Sequence, residues 1–96
     1  MSITFIARMN VFPEKEARYV EIIKQLEKDV AANEPGTLYY RFFKLDGDCR
    51  YGVIESFQDE AAEETHMNAP YLQAIMEDIM ACLDGGYERE YLHDIE

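Results

Sequence analysis

The chain contains no tryptophan, two cysteines and two histidines. That scarcity bears first on metals. Cys49 and Cys82 stand alone without CxxC spacing, and neither an H-E-x-x-H motif nor a metal-spaced carboxylate cluster is present. No metal site is therefore expected. A disulfide has no support either, so both thiols are expected to be reduced. Nucleophilic catalysis lacks its signatures, since there is no G-x-S-x-G elbow and no recognisable Cys–His arrangement. Gly85-Gly86 is too short to cradle a phosphate and reads as a helix stop. Long apolar runs are missing as well. None approaches the ~20 residues that span a bilayer. The opening Met-Ser-Ile-Thr-Phe-Ile-Ala-Arg lacks the basic segment and long apolar stretch of a signal peptide. A cytoplasmic location is the resulting expectation.

Positive charge is also in short supply. Nine Lys and Arg face 20 Asp and Glu, a net charge of -11 that repels nucleic-acid phosphates and anionic membranes alike. The acidic residues Glu14, Glu16, Glu21, Glu27, Glu60, Glu63 and Glu64 are spread along helix faces and read as a solvated surface. Ninety-six residues make one domain over 1–96, near the small end of what a single core supports.

What the chain does have is concentrated between Asn33 and Phe43, Asn-Glu-Pro-Gly-Thr-Leu-Tyr-Tyr-Arg-Phe-Phe. Pro35 and Gly36 end a helix and turn the chain. The strand that follows is apolar on both faces, with Tyr40 and Phe42 pointing one way and Tyr39 and Phe43 the other. A half-exposed antiparallel strand would alternate apolar with polar. Both faces therefore ask for cover, one from the chain's own helices and the other from a second copy.

The remaining elements follow from periodicity and punctuation. Ile3 to Val11 is a strand with Ile3, Phe5, Ala7, Met9 and Val11 on one face and Thr4, Ile6, Arg8 and Asn10 on the other. Pro13 opens a helix whose core stripe is Ala17, Val20, Ile23, Leu26 and Val30. A second strand covers 37–45, and Asp46-Gly47-Asp48 turns it into a third over 50–57. Asp59 caps a short helix to about Met67, and Pro70 starts another that runs to Leu83. Leu72, Ile75, Met76, Ile79, Met80 and Leu83 form its buried side. Asp84-Gly85-Gly86 stops it, and Tyr87 to His93 forms the last strand. The order β-α-β-β-α-β predicts an α+β, ferredoxin-like fold with a four-stranded antiparallel sheet.

Several stretches resemble the antibiotic biosynthesis monooxygenase domain family. They are Ile-Thr-Phe-Ile-Ala-Arg-Met at 3–9, Asn-Glu-Pro-Gly-Thr-Leu-Tyr at 33–39, Ile-Glu-Ser-Phe-Gln-Asp-Glu-Ala-Ala at 54–62 and His-Met-Asn-Ala-Pro-Tyr at 66–71. The resemblance implies a homodimeric α+β barrel paired through its sheets. It also implies one of several activities, among them oxygenation of polycyclic aromatic or quinol substrates with O₂ and no cofactor, haem degradation, and isomerisation of small phosphorylated sugars.

Cofactor-free oxygenation makes definite demands. O₂ is a triplet, so the substrate must become an electron-rich anion able to give up one electron. The protein must supply an apolar pocket, a group that takes a proton and donors that hold the anion. His66, at a position where the family often has histidine, is the candidate for the proton. Its plainer reading is a hydrogen bond that ties the helix break together. Glu55, between Val53 and Phe57 on one strand face, is the second candidate, and burial would raise its pKa. Its plainer reading is an ion pair with Arg8 or Arg41. Arg8 and Asn10 are candidates for holding an anion, while Tyr40, Phe57, Met67, Tyr71 and Met76 are candidates for the wall of an aromatic pocket. The haem-degrading branch uses Asn, Trp and His where this chain is expected to place Arg8, His66 and Met76, which argues against haem. The leading expectation is a cofactor-independent monooxygenase of a small aromatic or quinol-like substrate. An isomerase of a small carbonyl compound and a non-catalytic dimer that binds a small molecule are the alternatives.

Overall fold

The computed structural model describes residues 2–95. Strand β1 (Ile3–Val11) leads through a 3-10 turn at Pro13–Lys15 into helix α1 (Glu16–Asn33). Strands β2 (Thr37–Lys44) and β3 (Arg50–Phe57) form a hairpin, followed by helices α2 (Glu60–Met67) and α3 (Pro70–Cys82) and strand β4 (Leu83–Leu92). The strands lie in the order β2-β3-β1-β4, every neighbouring pair antiparallel. The fold is α+β and ferredoxin-like, as the order of elements predicts.

Local chemistry accounts for the boundaries. Pro13 begins the 3-10 turn, and the α-helix proper starts at Glu16. The Asp59 carboxylate accepts the Ala62 N–H at 2.8 Å and caps α2, and Pro70 occupies the first turn of α3. The turn after α1 lies hard against α2. A side chain at Gly36 would put its Cβ 2.8 Å from that of Ala62, so only glycine fits without displacement.

One face of the sheet lies beneath the helices. Phe5, Ala7, Met9 and Val11 of β1 and Tyr51, Val53 and Phe57 of β3 are buried there. Tyr40 and Phe42 pack on the same side. The stripe of α1 is Tyr19, Ile22, Ile23, Leu26 and Val30. It differs from the expected one because Ala17 is exposed, while the larger Tyr19 is fully buried and meets Tyr51 edge-on. Met80 of α3, expected in the core, is an exposed side chain.

The last strand departs most from expectation. It begins at Leu83, directly after α3, rather than at Tyr87. Val11 pairs with Leu83 and Met9 with Tyr87, so Asp84, Gly85 and Gly86 bulge out opposite a single residue. Gly85 and Gly86 have φ of 100° and 148°, which only glycine adopts without strain. The glycines bend the strand; they do not delay it. His93 lies beyond its end.

Candidate functional site

The covered face holds a cavity of about 90 Å³ between the sheet and helices α1, α2 and α3. Ala7 and Met9 reach it from β1, Tyr40 from β2, Glu55 from β3, His66 and Met67 from α2, Met76 and Met80 from α3, and Tyr87 and Arg89 from β4. Met67, Met80 and Tyr87 are exposed, so the lining comes to the surface between the helices and β4. Met9 closes the inner side, where its sulfur accepts the Tyr19 hydroxyl at 2.7 Å.

His66 is buried at the centre of this arrangement. Its ring lies between Tyr40 and Phe57, with centroids 4.9 and 5.3 Å away. Its two nitrogens face two different carboxylates. Nδ1 lies 3.0 and 3.1 Å from the oxygens of Glu34, and Nε2 lies 3.6 Å from Oε1 of Glu55. Both carboxylates are buried.

Glu34 is the residue that periodicity missed. It follows α1 directly, its N–H bonded to the Val30 carbonyl at 3.0 Å and its carbonyl accepting the Thr37 N–H at 3.1 Å. The Thr37 hydroxyl donates to Oε1 at 2.8 Å, and the Tyr71 hydroxyl donates to Oε2. A carboxylate at a helix C-terminus meets the negative end of the helix dipole. An acidic residue placed there, just before Pro-Gly, is the signal that could have singled it out.

Glu55 stands on the cavity side of Nε2. Burial pushes its carboxyl up to about 7, against a smaller downward pull from Arg89 and further upward pushes from Glu63 and Glu34. The Tyr40 hydroxyl is held well above its ordinary range, first by burial and then by Glu55 and Glu34, so it remains a donor. The Arg89 guanidinium sits 4.2 Å from the centre of the Phe5 ring. Chemically, the cavity offers an imidazole beside a carboxyl, a phenolic donor and a cation, set in walls of aromatic and thioether groups.

The candidates from sequence divide accordingly. Glu55, His66, Tyr40, Met67 and Met76 line the cavity together. Phe57 is fully buried behind His66 and supports its ring. Tyr71 is not a wall residue; it holds Glu34 from the far side and borders a separate surface groove. Arg8 and Asn10 are not brought to the cavity. Strand alternation sends them to the opposite face, where Arg8 pairs with Glu90 at 2.8 Å. Glu55 therefore forms no ion pair with Arg8; its carboxyl instead lies 3.6 Å from Nε2 of His66. The β1 residues that do reach the cavity are Ala7 and Met9. Among the described residues no cluster of three or more His, Cys, Asp or Glu could hold a metal ion. Glu34 and Glu55 flank opposite edges of one imidazole and do not converge. No helix among those residues is long and apolar enough to cross a membrane.

Comparison with known proteins agrees with this architecture. The profile of the antibiotic biosynthesis monooxygenase family matches residues 2–78. A Caulobacter crescentus CB15 protein, named as a candidate antibiotic biosynthesis monooxygenase, is 28% identical with a TM-score of 0.91, over 99% of this chain and 91% of its own. A conserved protein of Methanosarcina mazei Go1 is 22% identical with a TM-score of 0.88, over 99% of this chain and 94% of its own, and speaks for the fold alone. No curated protein matches the chain.

Proposed function

The chain belongs to the antibiotic biosynthesis monooxygenase family, and we propose that it oxygenates a small aromatic or quinol-like substrate with O₂ and without a cofactor. One observation carries this reading. An imidazole and a carboxylic acid stand side by side in an otherwise mostly apolar cavity, where Tyr40 offers a further donor. The His66–Glu55 pair takes the proton of a phenol or enol hydroxyl of the substrate, whose charge spreads to a ring carbon that still bears hydrogen. Tyr40 and Arg89 hold the charge that develops on the substrate oxygen. The anion passes one electron to O₂, and the radical and superoxide then join. With the proton returned, the product is a hydroperoxide. Loss of water leaves a carbonyl. One oxygen atom ends in that carbonyl and the other in water, and both hydrogens come from the substrate, so no external reductant is consumed.

The cavity favours the small end of the substrate range. A cavity of about 150 Å³ takes benzene, whereas this one measures about 90 Å³. A single ring enters if Met67, Met76 or Met80 changes rotamer, which an unbranched thioether does readily. Oxygen uptake should therefore be faster with single-ring hydroquinones than with three-ring anthrones. It should fall at least about 100-fold in a folded His66→Ala variant. No uptake with any member of such a panel would leave the reading without support.

The same volume favours a second reading, isomerisation of a small carbonyl compound by the same proton-exchanging pair. Its mark is deuterium exchange next to a carbonyl with no O₂ consumed. Ligand binding with neither reaction would point to the non-catalytic alternative.

Pairing of two copies through the bare sheet face completes the proposal. Tyr39, Phe43, Ile6 and Ile54 lie on that face with no helix over them, and a second sheet of the same kind offers matching apolar cover. Sedimentation should report a dimer, and Ile54→Glu should return it to monomers.

A further inference from the structure

We infer that Glu34 is a positioning residue that fixes the tautomer of His66, holding the hydrogen on Nδ1 and turning the Nε2 lone pair toward Glu55 and the cavity. With Glu34 as a carboxylate, the geometry leaves one assignment. Both Glu34 oxygens lie within hydrogen-bond distance of Nδ1, at 3.0 and 3.1 Å. A carboxylate only accepts, so Nδ1 is the donor, and in a neutral imidazole Nε2 is then the acceptor. The carboxylate is itself fixed, because Thr37 donates to one oxygen and Tyr71 to the other. The tight Gly36 turn holds its backbone against α2. Water does not compete for this contact, since His66 and Glu34 are each 3% exposed.

The consequence is a division of labour between two carboxylates on one ring. Glu34 sits away from the cavity lining and orients the base, while Glu55 lines the cavity and exchanges the proton. In water a neutral histidine prefers its proton on Nε2, where it could not accept one from a substrate. Glu34 reverses that preference. Its role resembles that of the buried acid that holds a catalytic histidine in acyl-transfer triads.

The effect on catalysis rests on the proposed reaction, but the tautomer does not, so the two are tested apart. Long-range ¹H–¹⁵N correlation spectra of the imidazoles distinguish a protonated from a bare ring nitrogen. With only two histidines in the chain, a His93→Gln variant assigns both sets of signals. In the wild-type protein, neutral His66 should show hydrogen on Nδ1 and a bare Nε2. Hydrogen on Nε2 instead would overturn the assignment, with no variant needed. In Glu34→Ala the pattern should move toward the Nε2-protonated form. An unchanged pattern in the folded variant would also overturn it. Where turnover is measurable, Glu34→Ala should lower kcat at least about tenfold with KM little changed. Should the wild-type spectra agree while no substrate is turned over, the proposed reaction falls and the assignment of Glu34 stands.

Discussion

The two faces of the sheet are built from the same strands, one residue out of step, yet they have different chemistry. On the covered face of β1 and β3, ionisable Glu55 is enclosed among Phe5, Val53 and Phe57, and its proton affinity is set by burial. On the bare face, Arg8 and Glu90 form an ion pair that stays 42% and 62% exposed. Water screens the second pair and weakens the attraction between its charges. The helices, rather than the residue types, take one face out of water and raise the proton affinity of its carboxyl. Arg8 and Glu55 are both charged strand residues, and only the direction of the side chain separates a candidate catalyst from a surface contact.

Three substitutions can break or sharpen that contrast. The largest effect belongs to Phe57→Ala, which opens a void beside His66 in the fully packed part of the covered face. It should cost about 3–5 kcal/mol in urea unfolding, and a cost under 1 kcal/mol would show that this face is loosely packed.

Next comes Glu55→Gln, whose effect depends on pH. The folded carboxyl titrates at about 7, the unfolded one at its ordinary 4.5. Between those values the unfolded chain releases its proton first, so wild-type stability declines as pH rises from 4.5 to 7 and then levels off. The full penalty is about 3 kcal/mol. Glu55→Gln should therefore be more stable than wild type at pH 8 by up to about that amount, and the gain should vanish toward pH 4.5. An equal gain at both ends would mean that burial does not control this group.

The smallest effect is expected from Arg8→Ala on the bare face. Arg8→Ala should leave turnover as it was, and in the Ile54→Glu monomer, where no second copy covers the pair, its loss should change stability by less than about 1 kcal/mol. Abolished turnover would show that the two faces are not chemically separate.

The sequence carried the fold almost whole, because each boundary rests on local chemistry. Asp59, Pro70 and the Asp46-Gly47 turn act over a few residues, and the two-faced β2 strand declares its own burial. His66 and Glu55 were legible as candidates from residue type and strand phase. Their relation was not, since one stands on a helix and the other on a strand, and no spacing rule joins them. Arg8 and Asn10 went astray for a simpler reason. Alternation states that they share a face, but the face the helices choose follows from the larger Phe5, Met9 and Val11. Glu34 lay outside every periodic pattern. Arg89 reached the cavity only through the β4 register, which the Gly85–Gly86 bulge shifts.

Both outer strands of the sheet, β2 and β4, carry irregularities. The pairing of β2 slips between Thr37 and Tyr39, and the Phe42 N–H is taken by the Glu27 carboxylate at 2.7 Å. On β4 the glycine bulge interrupts the ladder, and Glu88 and Glu90 add negative charge to the strand. A free strand from another molecule finds neither margin straight nor fully open, so endless sheet growth toward fibres has poor starting points at both. The proposed face-to-face pairing closes on itself, while the margins that would let assembly run on are blunted.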